Sequence, residues 1–230
     1  MPVKKLFAFV GLVVASFALP LSPLAAQLQV SPLIVELQAG KHDRQDVDVG
    51  NAGSDRIYVE IDPREVLNPG STPESARTDA DPEKLGLLVS PARLILEPGQ
   101  HRLIRIATLP GVADRERVFR VTVKPVVGKL SSAQSGLKVL VGYDMLILVR
   151  PTVPNPVVTG TRSGDALTIR NDGNVSVELD DGKQCAAPGH CTALPSKRLY
   201  AGQSWTQQLN GSAPADYLVD SPGKSQRMHF

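Results

Sequence analysis

Residues 118–124 read VFRVTVK, and this stretch decides the fold class because apolar and polar residues alternate from Phe119 onward. An extended chain places Phe119, Val121 and Val123 on one face and the intervening polar residues on the other. Such alternation predicts a β-strand with one face in a core and the other face outside it.

Similar segments occur on the N-terminal side of this stretch, at residues 56–62 (RIYVEID) and 101–106 (HRLIRI). No run of ten or more residues has the apolar spacing of a helix. The segments are separated by sequences typical of turns: Asn-Ala-Gly at 51–53, Asn-Pro-Gly at 68–70, Glu-Pro-Gly at 97–99 and Asn-Asp-Gly-Asn at 171–174. Short strands at this spacing predict an all-β protein built from β-sandwiches.

The longest strand candidate is residues 137–149, LKVLVGYDMLILV, whose nearly continuous apolar character indicates burial on both faces. Residues 150–156 (RPTVPNP) contain three prolines, which a central strand does not accommodate, so they are predicted to be a linker. We therefore expect an N-terminal domain over 27–150 and a smaller C-terminal domain over 151–230. Two polar segments are expected to be an exposed loop and a loosely ordered tail: residues 68–84 and 222–230.

The first 26 residues have the layout of an export signal. Lys4 and Lys5 precede an apolar run over residues 6–19, and small residues lead up to Ala26. The run is about 14 residues long, short of the roughly 20 that cross a bilayer, which favours a cleaved signal peptide over a membrane anchor. We expect cleavage after Ala26 and export of a protein that inserts into no membrane.

An exported protein enters a compartment that permits disulfides. Cys185 and Cys191 enclose the sequence AAPGH, in which Pro188 and Gly189 favour a turn, and we predict a structural disulfide between them. A redox pair is the alternative, but five intervening residues are the wrong spacing for one.

Composition and motifs argue against several functions. Without Lys4 and Lys5 the chain has 23 basic and 23 acidic residues, and this balance disfavours binding of nucleic acid. No GxSxG, HExxH, phosphate-loop or GxGxxG motif occurs, and the four histidines lie in polar contexts without ligand spacing. The acidic residues 178–181 (ELDD) lack a calcium-loop pattern and are expected at a hairpin end. We predict no enzyme activity, no cofactor and no metal site.

Several motifs occur in an order typical of a known family. The long strand ends in LILVRP at 146–151, preceded by LLVSPARLILEPGQHRLIRI at 87–106 and RERVFRVTVKPV at 115–126. These segments resemble the periplasmic pilus chaperones of the chaperone–usher pathway. Further motifs are similar to the alpha branch, which assembles colonisation-factor-type fimbriae: NPGST at 68–72, VFRVTVKP at 118–125, NDGNV at 171–175 and the two cysteines.

The resemblance implies two immunoglobulin-like β-sandwich domains in an L or boomerang arrangement, acting in the periplasm without a cofactor. Its implied partners are pilus subunits, which lack their last strand, and an outer-membrane usher. The chaperone would lend its long strand to complete its client, and we assign Leu137, Val139 and Val141 as the donor side chains. The alternative is that they belong to the first domain's own core. An unpaired apolar edge would also allow the free chaperone to self-associate.

The better-known branch grips the C-terminal carboxylate of its client with an Arg and a Lys, but our registration places Leu33 and Leu146 at those positions. Arg120 is our substitute, because it resembles an Arg of the alpha branch and its planar fork matches a carboxylate. Lys124 is the weaker candidate on the same face. The alternative for both is an ordinary solvated charge.

The resemblance also implies an ion network at the linker, in which an Arg flanked by two acids fixes the angle between the domains. Arg150, Glu116 and Asp220 match that trio, and unlinked surface charges are the alternative.

A structural or adhesive immunoglobulin-like pilus protein is the competing functional hypothesis. A pilus subunit would carry a donor arm near its mature N-terminus. Here residues 27–37 lead directly into SPLIVEL, which is typical of the first strand of a folded domain and favours the chaperone.

Overall fold

The computed structural model describes residues 27–38, 40–109, 111, 114–126 and 140–230. Regular structure in these residues is almost entirely β, which confirms the predicted all-β class. The predicted signal peptide lies outside the described residues.

Ten strands form the first sandwich. In chain order they are β1 (Leu28–Ser31), β2 (Ile34–Gln38), β3 (Arg44–Asn51), β4 (Ile57–Leu67), β5 (Ser75–Arg77), β6 (Leu87–Ser90), β7 (Arg93–Leu96), β8 (His101–Thr108), β9 (Arg117–Val126) and β10 (Tyr143–Arg150). One sheet has the order β1-β3-β8-β6, and the other has the order β2-β10-β9-β4-β5 with β7 also paired to β4. Residues 118–124 therefore lie in the middle of the second sheet.

Alternation along β9 divides its side chains as the sequence predicts. Phe119, Val121 and Val123 are completely buried and pack in one core with Ile104 and Val47 of the opposite sheet. The remaining face of β9 points away from this core, and we call it, with the same face of β4 and β10, the outer face.

Eight strands form the second sandwich. They are β11 (Val158–Ser163), β12 (Ala166–Asn171), β13 (Val177–Ala187), β14 (His190–Leu194), β15 (Lys197–Leu199), β16 (Ser204–Gln208), β17 (Ala215–Ser221) and β18 (Lys224–His229). The sheets have the orders β11-β12-β16 and β14-β13-β17-β18, with β15 also paired to β13. Residues 151–157, between the two sandwiches, lie in no strand.

The expectation of a loosely ordered tail over 222–230 is wrong. Strand β18 pairs along β17, and the backbone of Phe230 exchanges hydrogen bonds with Ala215. The Phe230 ring meets the buried Tyr217 ring edge to face, with centroids 6.4 Å apart. A single terminal aromatic and the ladder hydrogen bonds order a segment whose composition is polar.

The expected loop at 68–84 contains β5 and the start of a one-turn helix, α1 (Pro82–Leu85). Asp81 accepts a hydrogen bond from the Glu83 amide, and Pro82 occupies the first turn, where its missing N–H costs nothing. Gly86 ends the helix with a φ of 85°, a left-handed conformation that glycine adopts without strain. Four residues are too few to give a helical apolar period, so the sequence pattern does not predict this helix.

The acidic residues 178–181 lie within β13, not at a hairpin end as predicted. Asp181 has a φ of 43° and falls at a bulge between Asp180 and Lys183. The predicted disulfide is confirmed, since Cys185 on β13 is bonded to Cys191 on β14. Within the described ranges, no group of three or more His, Cys, Asp or Glu side chains could hold a metal ion, and no helix is long and apolar enough to cross a membrane.

An ion cluster fastens α1 to the sandwich. Glu65 accepts hydrogen bonds from Arg77 at 2.6 Å and from Arg117 at 2.7 Å, and both arginines also donate to the Leu85 carbonyl. Burial raises the pKa of Glu65, but the hydrogen bonds from the two arginines outweigh it and bring the pKa below the usual 4.5.

Replacing Glu65 with glutamine is expected to lower the free energy of unfolding by about 1.5–3 kcal/mol at pH 7, the range for hydrogen bonds to charged groups. Because the folded-state pKa of Glu65 is lowered, its stabilisation is present above the usual pKa and is lost as the pH falls through the folded value. Urea unfolding of both proteins at pH 7 and pH 3 tests this. An equal difference at the two pH values would contradict it.

Candidate functional site

Strand β10 has an edge that is only partly occupied. It pairs with β9 from Tyr143 to Val149, whereas β2 runs beside it only from Leu146 to Arg150. Residues 146–150 therefore have neighbours on both edges. Among the described residues, nothing pairs with the second edge of Tyr143–Met145, so this end of the strand can accept another chain.

Side chains of β10 are buried on both faces, as its continuous apolar run predicts. Met145 and Ile147 are 0% exposed in the core of the first sandwich. Leu146 and Leu148 are buried on the outer face with Val66 and Val118, and Tyr200 of the second sandwich packs against them. The C-terminal half of the predicted donor stretch thus belongs to this protein's own fold.

The donor stretch itself is shorter in strand form than predicted, because β10 begins at Tyr143 and not at Leu137. Leu137 and Val139 lie outside the described residues. Val141 is described, lies in no strand, and has 51% of its surface exposed.

One row of residues crosses the outer face at the height of the expected carboxylate anchor. Leu146 lies opposite Ile34 on β2 and opposite Arg120 on β9, and Arg120 lies opposite Arg64 on β4. The Leu146 amide donates to the Leu33 carbonyl at 2.9 Å. The two leucines at the usual basic positions are therefore neighbours, and Arg120 is next in the row.

The sequence reasoning missed Arg64, which joins this site from β4. Its guanidinium donates to Thr122 Oγ1 and to Asp144 Oδ2, each at 2.7 Å. The Arg120 guanidinium is half-buried and has one side-chain contact among the described residues, with the Asp144 carbonyl at 3.5 Å. The row thus presents one committed arginine and one available arginine.

Lys124 is differently placed. Its ammonium lies 2.7 Å from Asp62 and 3.4 Å from Glu60 on β4. The hydrogen bond from Asp62 raises the pKa of Lys124 above its usual value. Its charge is already neutralised, which makes it the poorer anion ligand of the two predicted residues.

Arg150 is 6% exposed at the junction of the sandwiches. Its Nη1 donates to the Glu116 carboxylate and, at 3.1 Å, to Ser176 Oγ of the second sandwich, and its Nη2 donates to Glu36 at 2.9 Å. The structure brings the predicted Arg150 and Glu116 together but places Glu36 where we expected Asp220.

Asp220 makes no ion pair with Arg150 among the described residues, and its predicted place in the network is wrong. It lines the same cavity of about 160 Å³, next to Glu178 on the neighbouring strand. Because Glu36 and Glu116 already occupy both terminal nitrogens, the guanidinium has no geometry left for a third carboxylate.

A second contact between the sandwiches passes through the 68–72 motif. Gln203 donates to Ser71 Oγ at 3.0 Å. Tyr200 lies against Gly70 and lines a cleft of about 360 Å³ with Val118. Burial raises the pKa of the Tyr200 phenol above its usual value, so the ring enters the cleft as a neutral group.

Comparison with known proteins decides the family. A family model described as the N-terminal domain of the pili and flagellar-assembly chaperone PapD matches residues 27–154. The chain belongs to this chaperone family. It is 27% identical over 208 residues to an Escherichia coli protein named for the CS1 fimbria, covering 85% of this chain and 86% of that protein.

Two solved structures have the same fold. The class 5 fimbriae chaperone CfaA superposes with a TM-score of 0.68 at 24% identity, covering 88% of this chain and 97% of CfaA. The SafB chaperone, solved with the SafA pilin of Salmonella enterica, gives 0.61 at 19% identity, covering 91% and 98%. These likenesses confirm two immunoglobulin-like domains, and the chaperone has a role in pilus assembly, of the colonisation-factor-type branch.

Proposed function

We propose that this chaperone lends a pilus subunit the residues that precede and begin β10, and that it delivers the completed client to an outer-membrane usher. The reaction is β-augmentation: main-chain hydrogen bonds supply affinity, and alternate side chains fill pockets of the client. The proposal places the protein in the periplasm and assigns it no enzyme activity.

The observation that carries this proposal is the vacant edge of Tyr143–Met145 among the described residues. An unpaired edge offers backbone donors and acceptors to a second chain. The adjoining Val141 is 51% exposed, which is unfavourable for an apolar side chain unless a partner covers it.

Strand periodicity links this edge to the donor residues. Met145 and Ile147 fill this protein's core, and odd-numbered positions of one continuous strand share a face. If the strand is extended in the complex, Leu137, Val139 and Val141 follow on that face, past the end of the core. The same alternation would then fill first the client's groove and next the chaperone's own core.

Replacing Leu137, Val139 and Val141 with serine tests the proposal. Co-expressed with the pilus subunit encoded next to it, the wild-type chaperone should copurify one-to-one and protect the client from protease. The triple variant should retain at least about tenfold less client, because three apolar contacts are lost and 1.4 kcal/mol corresponds to a factor of ten.

A matched control removes three exposed apolar side chains elsewhere. Leu103, Val153 and Val157 are 60%, 74% and 38% exposed and lie away from the vacant edge. Serine at these positions should leave capture unchanged. Equal capture by the wild type and the donor variant, or equal loss in the control, would overturn the donor assignment.

Arg120 is proposed as the anchor for the client's C-terminal carboxylate, which would set the register of the added strand. Changing Arg120 to alanine should weaken the complex about five- to twentyfold, in the range of a charge-assisted hydrogen bond. Changing Lys124 to alanine should alter it less than about twofold, because Asp62 and Glu60 already neutralise Lys124. Competition between each variant and the wild type for the purified client measures both, and the reverse order of effects would move the anchor to Lys124.

The competing pilus-subunit hypothesis requires an N-terminal donor arm. Strand β1 begins at Leu28 and is paired with β3 up to Ser31. The first described residues therefore form a strand of this domain, which favours the chaperone.

A further inference from the structure

Two arginines and two carboxylates line one cavity of about 340 Å³ on the outer face. Arg64, Arg120, Asp144 and Glu74 contribute the charges, beside Val66 and Ala76. The cavity adjoins the vacant edge of β10, since Asp144 is one of the three residues with an open side. Its chemistry bears on how a client is held.

Arg64 and Arg120 lie directly opposite each other on neighbouring strands. Like charges in this position repel and destabilise a sheet unless an anion lies between them. Arg64 reaches across β9 to Asp144 on β10, which is the partner of Thr122 in the strand register. An internal carboxylate thus relieves the repulsion.

The Asp144 carboxylate has two separate attachments. Its Oδ2 accepts from Arg64 at 2.7 Å, and its Oδ1 accepts from Thr122 at 2.8 Å. The Thr122 bond can persist when the arginine bond is broken. Asp144 can therefore release Arg64 without leaving its place on the strand.

We propose that Asp144 is an internal ligand of the arginine pair: it holds Arg64 in the free chaperone and yields it when an external carboxylate bridges Arg64 and Arg120. The ligand is a single carboxylate at a chain terminus, and this inference rests on the anchor role proposed for Arg120. Asp144 lowers the affinity of the pair for that carboxylate, both by competition and by its negative charge. A weakened anchor favours release of the client.

Glu74 provides a matched comparison, because it carries the same charge in the same cavity wall. Its Oε1 accepts from the Gly70 amide at 2.7 Å, and it has no contact with Arg64 among the described residues. Removing its charge changes the electrostatics of the cavity but frees no arginine.

The test uses N-acetylglycine as a probe of a terminal carboxylate and N-acetylglycinamide as its neutral counterpart. Each is titrated into the full-length mature chaperone while the Nε–Hε signals of Arg64 and Arg120 are followed by NMR. N-acetylglycine should shift both signals, and the amide should shift neither. Asp144→Asn should tighten N-acetylglycine binding about three- to tenfold, and Glu74→Gln less than about twofold.

Unchanged or weaker binding in Asp144→Asn would overturn the inference while leaving the Arg120 anchor intact, provided that the wild-type Arg120 signal still shifts. Equal tightening in both variants would also overturn it, because general charge and not exchange at Arg64 would be responsible. Absence of any shift in all variants would remove the anchor as well, whereas the donor strand is tested separately through client capture.

Discussion

Replacing Arg150 with alanine is expected to lower the free energy of unfolding by about 3–5 kcal/mol, the cost of removing one partner from a buried ion pair. Glu116 would be left with its side chain 2% exposed and without its cation. The loss should be measured by urea unfolding followed by circular dichroism. Client capture should fall with it, because Arg150 joins the two sandwiches through Ser176.

Partner variants give this prediction its control. Glu116→Gln should be more damaging than Glu36→Gln, because the Glu36 side chain is 51% exposed and water can replace its contact. A Glu116→Leu, Arg150→Leu double variant should recover part of the loss, since well-packed apolar residues often replace a buried pair at no cost. Equal effects of the two glutamine variants would show that burial does not govern the network.

Replacing Asn171 with alanine is expected to cost about 3 kcal/mol, from three hydrogen bonds and two buried carbonyls left without a donor. The completely buried Asn171 amide donates to the carbonyls of Val175 at 2.8 Å and Leu199 at 2.9 Å, and accepts from the Gly173 amide at 3.0 Å. It joins the end of β12 to the end of β15.

Asn51 repeats this arrangement in the first sandwich, with donation to Asp55 and Leu96 and acceptance from Gly53. Alanine there should have a similar effect, and alanine at the exposed Asn210 should change stability by less than about 0.5 kcal/mol. Thermal and urea unfolding of the three variants compare them. A stability loss at Asn210 as large as at Asn171 would contradict the structural role of the two buried amides.

Local pattern is sufficient for the strands whose two faces differ. The residues 118–124 alternate, and β9 buries the predicted face. The continuous apolar run of β10 correctly indicates burial on both faces. The same local pattern identifies Asn51 and Asn171 as turn residues but does not show that both amides are buried cross-links.

Contacts between distant strands could not be predicted from local pattern. Arg64 follows Pro63, where the alternation of β4 is interrupted, and only the register of β4 against β9 places it opposite Arg120. Glu36 reaches Arg150 because β2 runs parallel to β10, a pairing across 114 residues. Resemblance to the family indicated Asp220 for that position, and in this chain Glu36 occupies it.

Hydrogen exchange on the chaperone–client complex tests the central claim most directly. We predict that backbone amides of residues 137–145 exchange at least about tenfold more slowly in the complex than in the free chaperone, because a client strand covers the vacant edge. Amides of residues 146–150, which already have strands on both sides, should change little. A stable complex in which residues 137–145 exchange as fast as in the free protein would contradict strand donation.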